Sequence, residues 1–244
     1  MNSKSILISF ILLININTNI FAIDHIKNSI VKIFVGSKII TNDKEAYQNN
    51  KIRYFWGTGL IVNNKILTSS NLVSDAVWIK VYKYNSLKPY QAKIAKYSNQ
   101  YGLALLEIAN KSFLNSLEAI KLSNSINEQA KISIIAYRAG EDHLSYTHTN
   151  VDSIREVKNK MIKKNYPVLQ IKEDLGDIIN GSVIINMKQE IIAIGIGLDT
   201  FSFNTSYAVP SKTIDKFLND ENILKIKEEN LFDKKSNIII LGAK

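Results

Sequence analysis

Residues 56–81 read WGTGLIVNNKILTSSNLVSDAVWIKV. Gly57 and Gly59 bracket the start of an apolar run, Thr58 to Val62. Asn63-Asn64 then makes a tight turn, because short carboxamide side chains tolerate left-handed backbone. A second run ends in Thr68-Ser69-Ser70, and Asn71-Leu72-Val73 leads to a third, Val77 to Tyr82. Such short, β-branched stretches bounded by turn residues are strands. The same texture extends outward. Ile30 to Phe34 precedes it, and Ala92 to Tyr97 and Leu103 to Ile108 follow. Ile132 to Ala136, Val168 to Ile171, Ser182 to Asn186 and Ile191 to Ile196 continue it in the second half. Many short strands at even spacing predict an all-β sandwich or barrel. One helix stands out. Pro210-Ser211 opens it with Ser211 as the N-cap, and Ile214, Phe217 and Leu218 share an apolar face. Glu221 to Glu229 reads as a second helix, and the apolar Ile238 to Leu241 run has no assigned place. The more polar Lys111 to Gln129 segment links two β halves.

Composition narrows the chemistry. The chain has 244 residues, 45% hydrophobic and 22% charged, which excludes a collagen-like, disulfide-built or wholly disordered chain. Cysteine is absent, so there is no disulfide, thiolate metal site or cysteine nucleophile. Imidazole chemistry is limited to His25, His143 and His148. No helical histidine pair suggests a metal, and Gly57-Thr58-Gly59 and Gly195-Ile196-Gly197 lack the spacing of a phosphate loop. No cofactor and no metal are expected. The net charge of +9 comes from scattered lysines with only Arg53, Arg138 and Arg155 as arginines. A chain this rich in Ile, Asn and Lys reflects AT-rich codons, and it has no arginine-rich stripe, so nucleic acid is not an expected partner.

Residues 1–22 have the form of an export signal: Lys4, an apolar run from Ile6 to Ile14, and Ala22 at the cleavage site. The run is shorter than the ~20 residues that span a bilayer. The expected mature chain starts at Ile23, with no later membrane span, in the periplasm or outside a bacterial cell. An uncleaved anchor is the alternative.

Three further stretches complete the pattern: YQAKIAKYSNQYGLALLEI, GDIINGSVIINMKQEIIAIGIG and SYAVPSKTIDKFL. With the opening stretch, their order and spacing resemble the trypsin-like serine peptidases, specifically the HtrA (Deg) protease domain. The resemblance covers roughly Ile30 to Leu218. It implies two perpendicular six-stranded β-barrels with a C-terminal helix and an active site between them. The domains expected are residues 23–125 for the first barrel, 126–220 for the second barrel and helix, and 221–244 as a tail.

The resemblance also carries a triad, and this sequence departs from it. The histidine that follows the family's Thr-Asn-Asn triplet falls on Asn71, after Thr68-Ser69-Ser70. The aspartate before the Leu-Ala-Leu-Leu run falls on Gly102. The nucleophile falls on Asn180, before Gly181-Ser182, and a one-residue slip would put Ile179 there instead. A carboxamide takes no proton at neutral pH, Asn180 offers no hydroxyl, and Gly102 cannot orient an imidazole. The oxyanion-hole positions are Ile178 and Asn180, and a β-branched Ile178 stands where the family has glycine. The expected function is therefore an exported pseudoprotease that binds a polypeptide or regulates a protein partner. One alternative is an active endopeptidase with a rearranged triad, using Ser182, Ser69 or Ser70 with His143 or His148. The other is a structural or adhesion protein that uses the barrels as a scaffold.

Overall fold

The computed structural model describes residues 26–38, 52–113, 120, 122–123, 126–158, 165–197, 205–221 and 223. The first six strands are β1 Ile30–Lys38, β2 Ile52–Val62, β3 Lys65–Ser69, β4 Ala76–Tyr82, β5 Pro89–Ser98 and β6 Leu103–Ile108. They close antiparallel in the order β1-β2-β3-β6-β5-β4. The next six are β7 Lys131–Tyr137, β8 Leu144–Lys158, β9 Asn165–Ile171, β10 Val183–Asn186, β11 Ile191–Ile196 and β12 Ser206–Pro210. They close as β7-β8-β9-β12-β11-β10, the same connectivity. Two six-stranded barrels and the helix α2, Ser211–Asn219, match the expected all-β class. A short helix, α1 Ser70–Val73, follows β3.

Closed barrels have no free edges, and their strands alternate between interior and exterior. Here the exterior of each barrel is also buried where the two meet. In β6, Ala104 and Leu106 fill the first barrel, while Leu103 and Leu105 join the apolar layer between barrels. In β10, Ile184 fills the second barrel and Val183 and Ile185 join the same layer. A strand buried on both faces reads as an unbroken apolar run, which is why Leu103 to Leu106 is uniformly apolar up to the exposed Glu107. Phe217 and Ile214 of α2 pack into this layer.

Three details differ from the sequence reading. The helix N-cap is Pro210, and Ser211 is the first helical residue. The Ser211 hydroxyl donates to the Ser123 carbonyl at 2.6 Å, tying the helix to the segment that links the barrels. Ser182 precedes β10 rather than opening it. The longest strand, β8, was absent from the expected set. Its more buried row contains Ser145, Thr147 and Thr149, so it lacks the apolar alternation that marks a strand. The export signal, the second helix expected at Glu221 to Glu229 and the Ile238 to Leu241 run lie wholly or almost wholly outside the described residues. The expected division at 125/126 falls within the link between the barrels, at the edge of the described residues.

Candidate functional site

Asn71 sits on α1, whose first amide, Ser70 N–H, donates to the Gly102 carbonyl at 2.9 Å. Gly102 closes the turn before β6 with φ +67°, a left-handed value that suits glycine. Asn180 follows the 3₁₀ turn Gly176–Ile179. Its carbonyl accepts from Thr58 N–H of β2 at 3.1 Å, which fastens this loop to the first barrel.

The three sequence-derived positions meet at the end of β11. The Asn71 amide donates from Nδ2 to the Gly197 carbonyl. The Gly197 N–H donates to Asn180 Oδ1 at 2.9 Å. A Cβ built on Gly102 would touch Ile196 at 3.2 Å. The backbone N–H and carbonyl of one residue, Gly197, are thus each held by a carboxamide, one from each barrel. A carboxamide carries both a donor and an acceptor, and each end is used here.

Gly181 makes this contact possible. Its φ is +76°, and a Cβ there would collide with the Thr58 carbonyl oxygen. Beneath it lies a buried polar staple. Thr68 Oγ1 donates to the Thr58 carbonyl at 2.7 Å, and Tyr137 N–H donates to Thr58 Oγ1 at 2.9 Å. Tyr137 is itself 2% exposed, and burial raises the pKa of its hydroxyl.

No bond from the remaining candidates to Gly197 joins them to this pair among the described residues. The Ile178 N–H is spent in the 3₁₀ turn, donating to the Leu175 carbonyl at 3.2 Å. Ser182 is fully buried, with its Oγ against Gly195 and no hydrogen-bond partner among the described residues. Ser69 is fully buried too, and its Oγ also has no partner. His143 Nε2 lies 3.3 Å from Glu141 on an exposed turn. His148 Nδ1 lies 2.8 Å from Ser133 Oγ, across β7 and β8. His25 is outside the described residues. Among the described residues, no cluster of acidic or imidazole side chains is arranged to hold a metal ion.

A cleft of about 440 Å³ opens beside the carboxamide pair. Asn71, Asn180 and Ile178 line one part of it, Trp56 and Asp75 the first-barrel wall, and Tyr137 the second. This volume falls in the range of small-ligand and peptide side-chain sites, roughly 300–1,000 Å³. Sequence reasoning passed over Gly197, Thr58 and Tyr137 as site residues. Gly197 was visible only as half of a glycine pair. The staple has no sequence signature, since it joins residues 79 positions apart.

No family model matches the chain. It is similar to the putative protease Do-like 3 of Arabidopsis thaliana mitochondria, 26% identical over 200 residues, covering 81% of this chain and 35% of that protein. It is also similar to a serine protease DegP homolog of Plasmodium falciparum, 27% identical over 194 residues, covering 78% of this chain and 22% of that protein. The chain thus spans well under half the length of these relatives. Among solved structures, the active form of the Rv3671c protease of M. tuberculosis superposes with a TM-score of 0.66 at 14% identity, covering 83% of this chain and 85% of that one. The HtrA-type protease AlgW with a decapeptide gives a TM-score of 0.60 at 15% identity, covering 81% and 65%. Relatives in sequence and neighbours in fold converge, and the chain is a homologue of the HtrA/Do-like proteases with their trypsin-like fold.

Proposed function

We propose that this chain is an exported protein of the HtrA type that binds an extended polypeptide in its inter-barrel cleft and does not cleave it. The observation that carries this reading is the pair Asn71 and Asn180, both engaged with Gly197. Peptide hydrolysis by this fold needs a group that takes a proton and a hydroxyl or thiol that attacks the carbonyl. Two carboxamides, each bonded to the backbone of Gly197, supply neither. The Ile178 amide, already donating to Leu175, adds no free donor for an oxyanion. Around the cleft the chain has a built architecture: Gly181, the Thr58 staple and the apolar layer between barrels. The HtrA-type neighbour AlgW was solved with a decapeptide, which supports a polypeptide as the kind of partner this chain takes.

Export rests on residues 1–22, with Lys4, the Ile6 to Ile14 run and Ala22. No helix among the described residues is long and apolar enough to cross a membrane.

The test is a fluorophosphonate probe, which labels a serine only when a base activates it. The folded chain should show no labelling above a heat-denatured control. Stoichiometric, site-specific modification of Ser182, Ser69 or Ser70 would overturn the reading in favour of a rearranged active site. The N-terminus of the protein isolated from its native host, read by mass spectrometry and expected near Ile23, tests export. Recovery of an intact N-terminus in the cytoplasm would refute it.

A further inference from the structure

β2 runs past the barrel it belongs to. Its strand partner on one side is β1, paired along the whole length from Ile52 to Leu60. On the other side β3 meets only Leu60, Ile61 and Val62. The hydrogen bonds of Thr58 fix which way the remaining groups point. Thr58 N–H donates to the Asn180 carbonyl, and its carbonyl accepts from Thr68 Oγ1, so both point away from β1. Ile61 N–H, of opposite parity, bonds Ser29 on the β1 side. In a strand, the N–H and C=O of one residue face the same way, and the sense alternates along the chain. Ile52, Tyr54 and Trp56 share the parity of Thr58. Their backbone groups therefore form three rungs of an open edge, and no strand among the described residues pairs with it.

This edge is rigid and charged. Trp56 stacks on Phe34 with ring centroids 3.9 Å apart and planes 14° from parallel. The Lys32 ammonium sits 4.2 Å from the Trp56 ring, and it is itself held by Asp142 at 2.7 Å. Ile52, Tyr54 and Phe55 stand exposed on the two faces of the arm, Tyr54 by 61%. Arg53 and Lys38 are exposed beside them and line the cleft. Neither forms an ion pair with a described residue, whereas Asp75 is the one carboxylate among the described cleft-lining residues.

The geometry points to the β2 edge, Ile52 to Trp56, as the docking strand for an acidic extended polypeptide. It would add as a strand to the three rungs, with its carboxylates beside Arg53 and Lys38. Strand addition draws affinity from backbone hydrogen bonds and specificity from alternate side chains. Two unpaired cations at the mouth select against a basic segment, since like charges across an interface are costly. This inference rests on the cleft being a polypeptide site, and it names the strand and the charge of the ligand.

The test uses the full chain and three fluorescein-labelled heptapeptides: Val-Asp-Tyr-Asp-Val-Asp-Val, its Asn counterpart and its Lys counterpart. Fluorescence anisotropy at low salt reads the affinities. The acidic peptide should bind about tenfold or more tightly than the neutral one, and the Lys peptide least. Reversing Arg53→Glu and Lys38→Glu together should invert that order. Tyr54→Pro removes an edge N–H and leaves the β1 ladder intact, because that N–H points away from β1. It should weaken the acidic peptide by about tenfold. Peptides that bind regardless of charge, or a Tyr54→Pro variant that binds as the wild type does, would overturn this inference and leave the polypeptide cleft standing. Failure of all three peptides to bind would overturn both.

Discussion

The two barrels share one strand order and differ in what they extend beyond it. The first extends β1 and β2 as an arm whose outer half, Ile52 to Trp56, carries Ile, Arg, Tyr, Phe and Trp. The second extends β8 and β9, and the described outer residues of β8 there, Ser153, Ile154, Arg155 and Glu156, are polar but for the exposed Ile154. The first arm ends beside the cleft with an open edge. The second arm also runs past its neighbour, since β8 pairs β7 only over Leu144 to Asn150 and then β9 alone over Val151 to Lys158. Side chains cover that side, however: Ile154 N–H donates to Glu128 Oε1 at 3.0 Å, and Gln129 Nε2 donates to the Asp152 carbonyl at 2.8 Å. Identical topology with unequal rims shows that closing a barrel fixes the interior pattern and leaves the rim free to carry a site. The contact between barrels is unequal too. The first supplies strand backbone, Thr58, Lys32 and Lys96. The second supplies a loop with Gly181, a turn with Asp142, and the helix α2.

Gly181 is the place where that contact breaks most completely. Replacement with Ala puts a methyl group onto the Thr58 carbonyl and asks a non-glycine residue to hold φ +76°. A left-handed penalty and a backbone collision together should cost about 3–5 kcal/mol. Urea denaturation followed by tryptophan fluorescence measures it, since both tryptophans, Trp56 and Trp78, belong to the first barrel. If only far-ultraviolet circular dichroism shifts and the tryptophan transition stays at the wild-type midpoint, the barrels unfold separately.

The Thr58 staple gives the next effect. Thr58→Val keeps the shape and removes the acceptor for Tyr137 N–H. Leaving a buried amide without a partner costs about 1–3 kcal/mol. Thr58→Ser retains the hydroxyl and should recover most of that. Equal losses in the two variants would mean that the methyl contact, rather than the hydrogen bond, joins the barrels.

The fold was legible because its strands have apolar interiors on one period, and because β11 and the Leu103 to Leu106 stretch of β6, buried on both faces, announce themselves as unbroken runs. The β8 strand was hidden because its inward row is Ser and Thr. The carboxamide positions 71 and 180 could be placed by their neighbours, Thr68-Ser69-Ser70 and Gly181-Ser182. Their shared partner could not. Gly197 lies 126 residues from Asn71, and no local pattern encodes a side chain that reaches another loop's backbone. The open edge of β2 was equally silent: it follows from where β3 stops pairing, which only the register reveals.

Lys96 links the barrels more weakly. From β5 it donates to the carbonyls of Phe217, Leu218 and Asp220, at 2.5, 3.2 and 2.7 Å, at the end of α2. A cation there satisfies carbonyls that the helix leaves open and meets the negative end of its dipole. Lys96→Met keeps the aliphatic stem and should lose about 1–2 kcal/mol. Limited proteolysis reads the same loss locally, as faster cutting after Lys212 and Lys216 of α2. Unchanged cutting at α2 with an unchanged melting temperature would show that Phe217 in the apolar layer holds the helix by itself.

The smallest effect is expected from Asp142, which is exposed although its partner Lys32 lies buried under Trp56. The hydrogen bond from Lys32, and then its charge, hold the Asp142 carboxyl below its ordinary value. A carboxylate with a depressed folded-state pKa binds its proton more weakly when folded than when unfolded. Its stabilisation is therefore complete above the ordinary carboxylate range, and it is lost as pH falls through the depressed value. Melting temperatures measured from neutral to strongly acidic pH should fall less steeply in Asp142→Asn than in the wild type. Above the carboxylate range, the variant should melt slightly lower. Parallel curves would mean that Lys32 is held by the Trp56 face alone, and that the ion pair across the barrels contributes nothing to their union.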